Sequence, residues 1–144
     1  MSALRIGVLG GTFDPPHAGH LIVAQDVVEG LELNELLFMP CHVPPHRDPH
    51  GVSPAALRFR MVQAAVEPND RLRASDLELQ REGPSYTVDT VRMLKDAYPG
   101  ADLFVVIGAD QFENLHTWKA PEALASMARL VAVSYTHLTL PTRS

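Results

Sequence analysis

The chain has 144 residues, 46% of them apolar and 20% charged, with a formal net charge of −5, the balance of an ordinary single globular domain with one core. No apolar run approaches the roughly 20 residues of a membrane helix, and the acidic total speaks against general nucleic-acid binding. The single cysteine, Cys41, excludes an internal disulfide framework and points to a reducing cytoplasm.

Leu4 to Leu9 is a short apolar run that stops at Gly10-Gly11, a strand entered at once from the N-terminus with no room for a signal peptide. From His17 to Glu29, Leu21, Ala24, Val27 and Val28 recur at helical spacing, and Gly30 stops the helix. Leu36 to Met39 is a second buried strand ended by Pro40, and Cys41 to Ser53 is a loop rich in proline and histidine. Ser53-Pro54 reads as an N-cap followed by proline at the first helical position, opening a helix to about Val66. Leu72 to Leu79 reads as a third strand. A helix with Val88, Val91 and Leu94 on one face follows the loop at Glu82 to Ser85 and ends at Pro99-Gly100. Leu103 to Ile107 is the clearest buried strand, and short helical regions at Gln111 to Leu115 and Pro121 to Ser126 precede a last strand, Leu130 to Val133. Strands apolar on both faces and alternating with helices predict an α/β domain built on a doubly wound parallel sheet, with its ligand site at the carboxyl ends of the strands.

The first strand runs into Gly10-Gly11-Thr12-Phe13-Asp14-Pro15-Pro16-His17-Ala18-Gly19-His20. Glycines let backbone approach a phosphate closely, and the helix that follows offers unpaired N–H groups and a positive dipole end. His17 and His20, three apart, can face the same anion, and histidine can donate hydrogen bonds or carry charge near neutral pH. The spacing Gly7-x-x-Gly10-Gly11 is not the G-x-G-x-x-G dinucleotide fingerprint, which disfavours a dehydrogenase.

This eleven-residue string resembles the signature of the nicotinate-mononucleotide adenylyltransferases, within the wider His-x-Gly-His nucleotidyltransferase superfamily. The resemblance implies a Rossmann-like nucleotidyltransferase fold. It also implies adenylyl transfer from ATP to nicotinate mononucleotide in NAD biosynthesis, giving nicotinate adenine dinucleotide and pyrophosphate. Phosphopantetheine and nicotinamide mononucleotide adenylyltransferases, and a nucleotide-binding fragment without activity, are the alternatives. By resemblance, His17 and His20 are catalytic, Gly10, Gly11, Thr12, Phe13 and Gly19 meet ATP phosphates, and His46 and Arg47 of Val43-Pro44-Pro45-His46-Arg47 bind phosphate with them. Arg58 either adds to that positive site or is a solubilising surface charge. Ser85, Tyr86 and Thr87 resemble the segment that recognises the nicotinate end, although Ser85 or Thr87 as a plain helix cap would also explain them. Gly108 and Asp110 resemble a post-strand motif contacting ribose, with Asp110 equally able to cap the next helix. Trp118, in a loop beside Lys119, resembles the family's stacking platform for the pyridine ring.

The reaction implied needs no protein nucleophile, and Mg²⁺ is expected on the ATP phosphates, held by substrate and water. Cys41, His42, His46 and His50 lie close in sequence, but Pro44, Pro45 and Pro49 forbid the helix that would align them, so no metal site is expected in the protein itself. Nothing in the sequence specifies an oligomeric state. The resemblance runs to Val133 and then stops. Residues 1–134 are therefore expected to form an α/β domain lacking its last strand and C-terminal helices, and residues 135–144 to be a tail foreign to it.

Overall fold

The computed structural model describes residues 3–42, 51–81 and 86–134. His46, Arg47, Ser85 and the tail from 135 lie outside these residues. Five strands form one parallel sheet: β1 (Arg5–Gly11), β2 (Glu35–Pro40), β3 (Leu72–Ala74), β4 (Asp102–Gly108) and β5 (Arg129–Val133). Their order is β3-β2-β1-β4-β5, the doubly wound arrangement that alternating apolar strands and helices predict. The helices are α1 (Ala18–Gly30), α2 (Ala55–Val66), α3 (Thr87–Ala97), α4 (Ala109–Glu113) and α5 (Pro121–Met127).

Successive side chains of a strand face opposite ways, and here both faces are buried. Leu9, Leu36, Phe38, Phe104 and Val106 join Val23, Val27 and Val28 of α1 and Val62 and Val66 of α2 in one core. Val8, Leu37, Met39, Leu103, Val105 and Ile107 join Val88, Val91 and Leu94 of α3 and Leu124 of α5 in the other. The expected apolar face of α3 is thus the observed one.

Three local expectations are corrected. The strand expected over Leu72 to Leu79 pairs with β2 only as far as Ala74. Ser75 Oγ then takes the Leu77 N–H at 3.3 Å, and the Asp76 carboxylate takes the Gln80 side-chain amide at 2.9 Å. These local bonds turn the chain into a 3₁₀ turn, Glu78–Gln80. Ser53 is not the N-cap of α2: Pro54 holds that position at φ −54°, ψ 142°, and the helix starts at Ala55. Gly30 does not stop α1 but ends it from within. The left-handed residue beyond the helix is Glu32, at φ 53°.

Gly7, in the middle of β1, is where the packing is tightest. It lies opposite Leu36 on one side and Phe104 on the other, and a Cβ there would come within 2.7 Å of Leu33 Cδ1. We expect Gly7→Val to overpack this layer and cost about 1–3 kcal/mol, with Gly7→Ala costing less because Leu33 can swing aside. The shift of the urea midpoint at constant m-value measures it; an unchanged midpoint for Gly7→Val would contradict the packing described.

Candidate active site

The connections β1–α1–β2 and β2–α2–β3 build outward on one side of β1, whereas α3 carries the chain back to β4 on the other. The loops leaving β1 and β4 therefore diverge, and a crevice opens at their carboxyl ends. A cavity of about 420 Å³ occupies it. Gly10, Gly11 and Thr12 form one wall, Tyr86 and Thr87 at the start of α3 another, and Thr117, Trp118 and Lys119 a third, over a floor that includes Val105 and Ile107. Gly10 is open on its free side, the nearest atom to an added Cβ being Met39 O at 3.9 Å. Backbone is thus exposed to a ligand where the sequence expects phosphate.

His17 and His20 stand at the start of α1, just beyond this wall. His17 is the N-cap: its Nδ1 accepts the Gly19 N–H at 3.1 Å, and His20 Nδ1 accepts the His17 N–H at 3.0 Å. The pair is a reciprocal capping box made of imidazoles rather than hydroxyl and carboxylate. Each Nδ1 that accepts cannot carry a proton, so in the neutral form the hydrogen of each ring is assigned to Nε2, on the far side. The rings stack with centroids 3.8 Å apart. Gly19 makes this possible, since a Cβ there would meet His17 Cε1 at 2.9 Å.

Burial, and secondarily the neighbouring His17, lower the His20 pKa from 6.5 to about 4. Of the two capacities expected of a histidine here, donating hydrogen bonds and carrying charge, the lowered pKa favours the first in the ligand-free protein, a neutral donor through Nε2. Phe13 lies against this pair. Its side chain is buried, with its ring edge-on to His20 at 5.0 Å and tilted against Phe38 at 5.5 Å. It supports the His20 ring from below and does not offer a face to ligand. Its backbone takes a left-handed φ of 50°, uncommon for a bulky residue.

Arg58 is neither the exposed charge nor the free phosphate ligand considered for it. It is 1% exposed, and its guanidinium donates to four backbone carbonyls: Ser53 at 2.8 Å, Thr12 at 3.0 Å, Cys41 at 2.8 Å and His42 at 3.2 Å. Asp110 lies exposed in the first turn of α4, two positions past the N-cap, which is Gly108. The Gly108 N–H is taken by Gln111 Oε1 at 3.2 Å, and Gln111, not Asp110, faces the cavity. Tyr86, rather than Thr87, holds the N-cap position of α3, without a side-chain cap. Trp118 is half-buried: it packs on the core of α3 and α5 and still lines the cavity.

Sequence reasoning missed Glu78, Thr90, Gln111 and Lys119, all of which face the cavity. Thr90 Oγ1 donates to the buried Glu78 at 2.7 Å and accepts from Arg81 at 2.7 Å. Lys119 Nζ lies 3.2 Å from Asp89 Oδ2 and 4.8 Å from the centre of the Tyr86 ring, which ties the Trp118 turn to the start of α3. Of these only Lys119 had a signal, its place next to Trp118.

The Cytidylyltransferase-like family profile matches residues 8–144. The chain is 44% identical over 129 residues to a Bacillus licheniformis protein named "Probable nicotinate-nucleotide adenylyltransferase", and 41% identical over 129 residues to the Bacillus subtilis nicotinate-nucleotide adenylyltransferase. Each match covers 90% of this chain and 68% of the relative. The fold is also similar to that of the Plasmodium falciparum nicotinic acid mononucleotide adenylyltransferase complexed with NaAD, with a TM-score of 0.71 at 16% identity over 90% of this chain and 75% of that one. A two-ended cleft, a histidine-capped helix beside it and these relatives agree: the chain belongs to the nicotinate-nucleotide adenylyltransferases, within the cytidylyltransferase-like family.

Proposed function

We propose that this chain transfers the adenylyl group of ATP to nicotinate mononucleotide, forming nicotinate adenine dinucleotide and releasing pyrophosphate. The observation that carries the reading is the division of the cleft, with exposed Gly10–Thr12 backbone and a histidine-capped helix at one end and Tyr86, Thr87 and Trp118 at the other. The first end suits phosphates. The second suits a planar aromatic acid, which can stack on Trp118 with its carboxylate near the start of α3, where the helix dipole favours negative charge.

In this reaction a phosphate oxygen of the mononucleotide attacks the α-phosphorus of ATP as the bond to the β-phosphate oxygen breaks, and that electron pair leaves with pyrophosphate. A phosphate monoester has a second pKa of about 6, so the nucleophile is already ionised at neutral pH and no general base is required. What remains for the protein is positioning and charge stabilisation. His17 and His20 would offer Nε2–H donors to the departing phosphates. Their Nδ1 atoms, which accept the Gly19 and His17 N–H groups, fix both rings before substrate arrives. We propose that Mg²⁺ enters on ATP, where it would neutralise phosphate charge. Such a cation would be held by triphosphate oxygens and water.

Pyrophosphate release by the purified chain with ATP and Mg²⁺, compared across nicotinate mononucleotide, nicotinamide mononucleotide and phosphopantetheine, tests the proposal. Release with the nicotinate substrate alone is expected; release with another acceptor, or with none from folded protein, would overturn it.

His20→Ala should lower kcat roughly 10²- to 10³-fold, the effect of losing one preorganised donor, and leave mononucleotide binding nearly unchanged. Parallel losses in both would remove His20 from the transition state.

Because the folded pKa of His20 lies below 6.5, at about 4, its proton binds more weakly in the folded state. Its contribution to stability is therefore complete above pH 6.5 and is lost as pH falls toward 4. A bound triphosphate should reverse the shift by favouring the charged form. The His20 ring signals, followed by NMR, should titrate near pH 4 in the free protein and at higher pH with ATP, whereas titration unmoved by ATP would place the phosphates elsewhere.

A further inference from the structure

The least expected group in the fold is a buried guanidinium that pairs with no acid. Arg58 is 1% exposed, and no carboxylate of the described residues makes an ion pair with it. Taking such a charge out of water is costly, and only dense hydrogen bonding offsets it. Here every partner is a backbone carbonyl, and the four belong to three separate stretches of chain. Thr12 lies in the turn after β1, Cys41 and His42 lie just after β2, and Ser53 lies just before α2.

These attachments share a pattern. Cys41–His42 and Ser53 are the two feet of the segment that carries His46 and Arg47. Each foot is also tied to the β1–α1 loop without Arg58: the Cys41 N–H donates to Gly11 O at 3.0 Å, and the Ser53 N–H donates to Asp14 Oδ2 at 2.8 Å. Gly11, Thr12 and Asp14 belong to the motif at the phosphate end of the cleft. The guanidinium therefore sits at the junction of the motif with both feet. Carbonyls bound to it set their peptide planes, and in a trans peptide the N–H of the same plane points the opposite way. Arg58 thereby fixes the direction of the Phe13 and His42 N–H groups as well.

We propose that Arg58 is a positioning residue that locks the phosphate-binding turn of β1–α1 to both ends of the segment bearing His46 and Arg47, without touching substrate. The role rests on the adenylyl-transfer reading for its consequence in catalysis, but the lock itself is a property of the ligand-free fold. Lysine cannot replace it fully. Three nitrogens in a rigid planar fork reach four acceptors, whereas an ammonium has one nitrogen and three rotatable donors.

The test compares Arg58→Lys and Arg58→Gln with the unsubstituted chain by hydrogen exchange and by kinetics. In Arg58→Gln, exchange should quicken at the Cys41 and Ser53 amides and in peptides covering 11–14, while peptides of β4 keep their protection. Where the unsubstituted chain releases pyrophosphate, kcat should fall roughly 10- to 100-fold, the effect of a site displaced by about an ångström. The KM for nicotinate mononucleotide should change far less, and Arg58→Lys should recover part of the loss.

Uniform loss of protection across the sheet would make Arg58 a stability residue only, and unchanged exchange at the three attachment points would remove the lock; either overturns the proposal. Should Arg58→Gln not fold, Arg58→Lys carries the same comparison. A chain without turnover would overturn the reaction, not the lock, which hydrogen exchange reads by itself.

Discussion

The organisation of this protein follows from the double burial of its central strand. β1 is hydrogen-bonded to β2 on one edge and β4 on the other, and its faces alternate between two cores. Ile6 to Leu9 are buried, and the strand leaves the sheet through Gly10-Gly11, where Gly10 is exposed. Because β2 lies on one side of β1 and β4 on the other, the loops that leave β1 and β4 diverge at that exit. The crevice is thus a consequence of strand order. It places the Gly10-Gly11 backbone in the wall of the cavity and brings in Tyr86 and Trp118 from elements distant in sequence.

The start of α1 shows how stability and site geometry share the same atoms. A helix N-terminus leaves its first N–H groups without intrahelical partners. Serine or aspartate is the common solution, but either would fill the position with a side chain of no further use to a leaving phosphate. Histidine spends one ring nitrogen on the cap and retains the other. The arrangement requires Gly19, because the His17 ring lies where a Cβ would be, and it requires Phe13 beneath His20. The same contacts that hold the His20 ring also partly bury it and lower its pKa to about 4. A rigid donor and a depressed pKa therefore have one cause.

The order of strands and helices was legible because strands buried on both faces leave unbroken apolar runs such as Leu103 to Ile107. The motif residues were legible because they are contiguous: Gly10 to His20 form a single string. What was not legible depended on long-range partners. Arg58 reads as a surface arginine until Thr12, Cys41, His42 and Ser53 converge on it, and nothing about an arginine in a helix announces carbonyls from other loops. Ser53 before Pro54 has the composition of a helix cap, but tertiary structure uses its backbone as an anchor instead. Glu78 and Thr90 escaped notice because their pairing joins a 3₁₀ turn to a helix, and their spacing in the sequence matches no motif. The part that the Phe13 ring plays as a support for His20 was not legible either, because that contact forms only when the turn folds onto the start of α1.

An acidic chain that receives two anionic substrates also calls for a physical account. With a net charge of −5, the far field repels a triphosphate, but that field is screened within about 8–10 Å at physiological salt. Inside the cleft the balance is set by contacts shorter than that. On the reading proposed above, backbone N–H groups, the positive end of α1 and imidazole Nε2–H donors would attract phosphate there. The guanidinium of Arg58 is spent on carbonyls instead. Its work is to keep those weaker donors aimed, and preorganised dipoles in a cleft stabilise transferred charge better than mobile surface cations that water can screen.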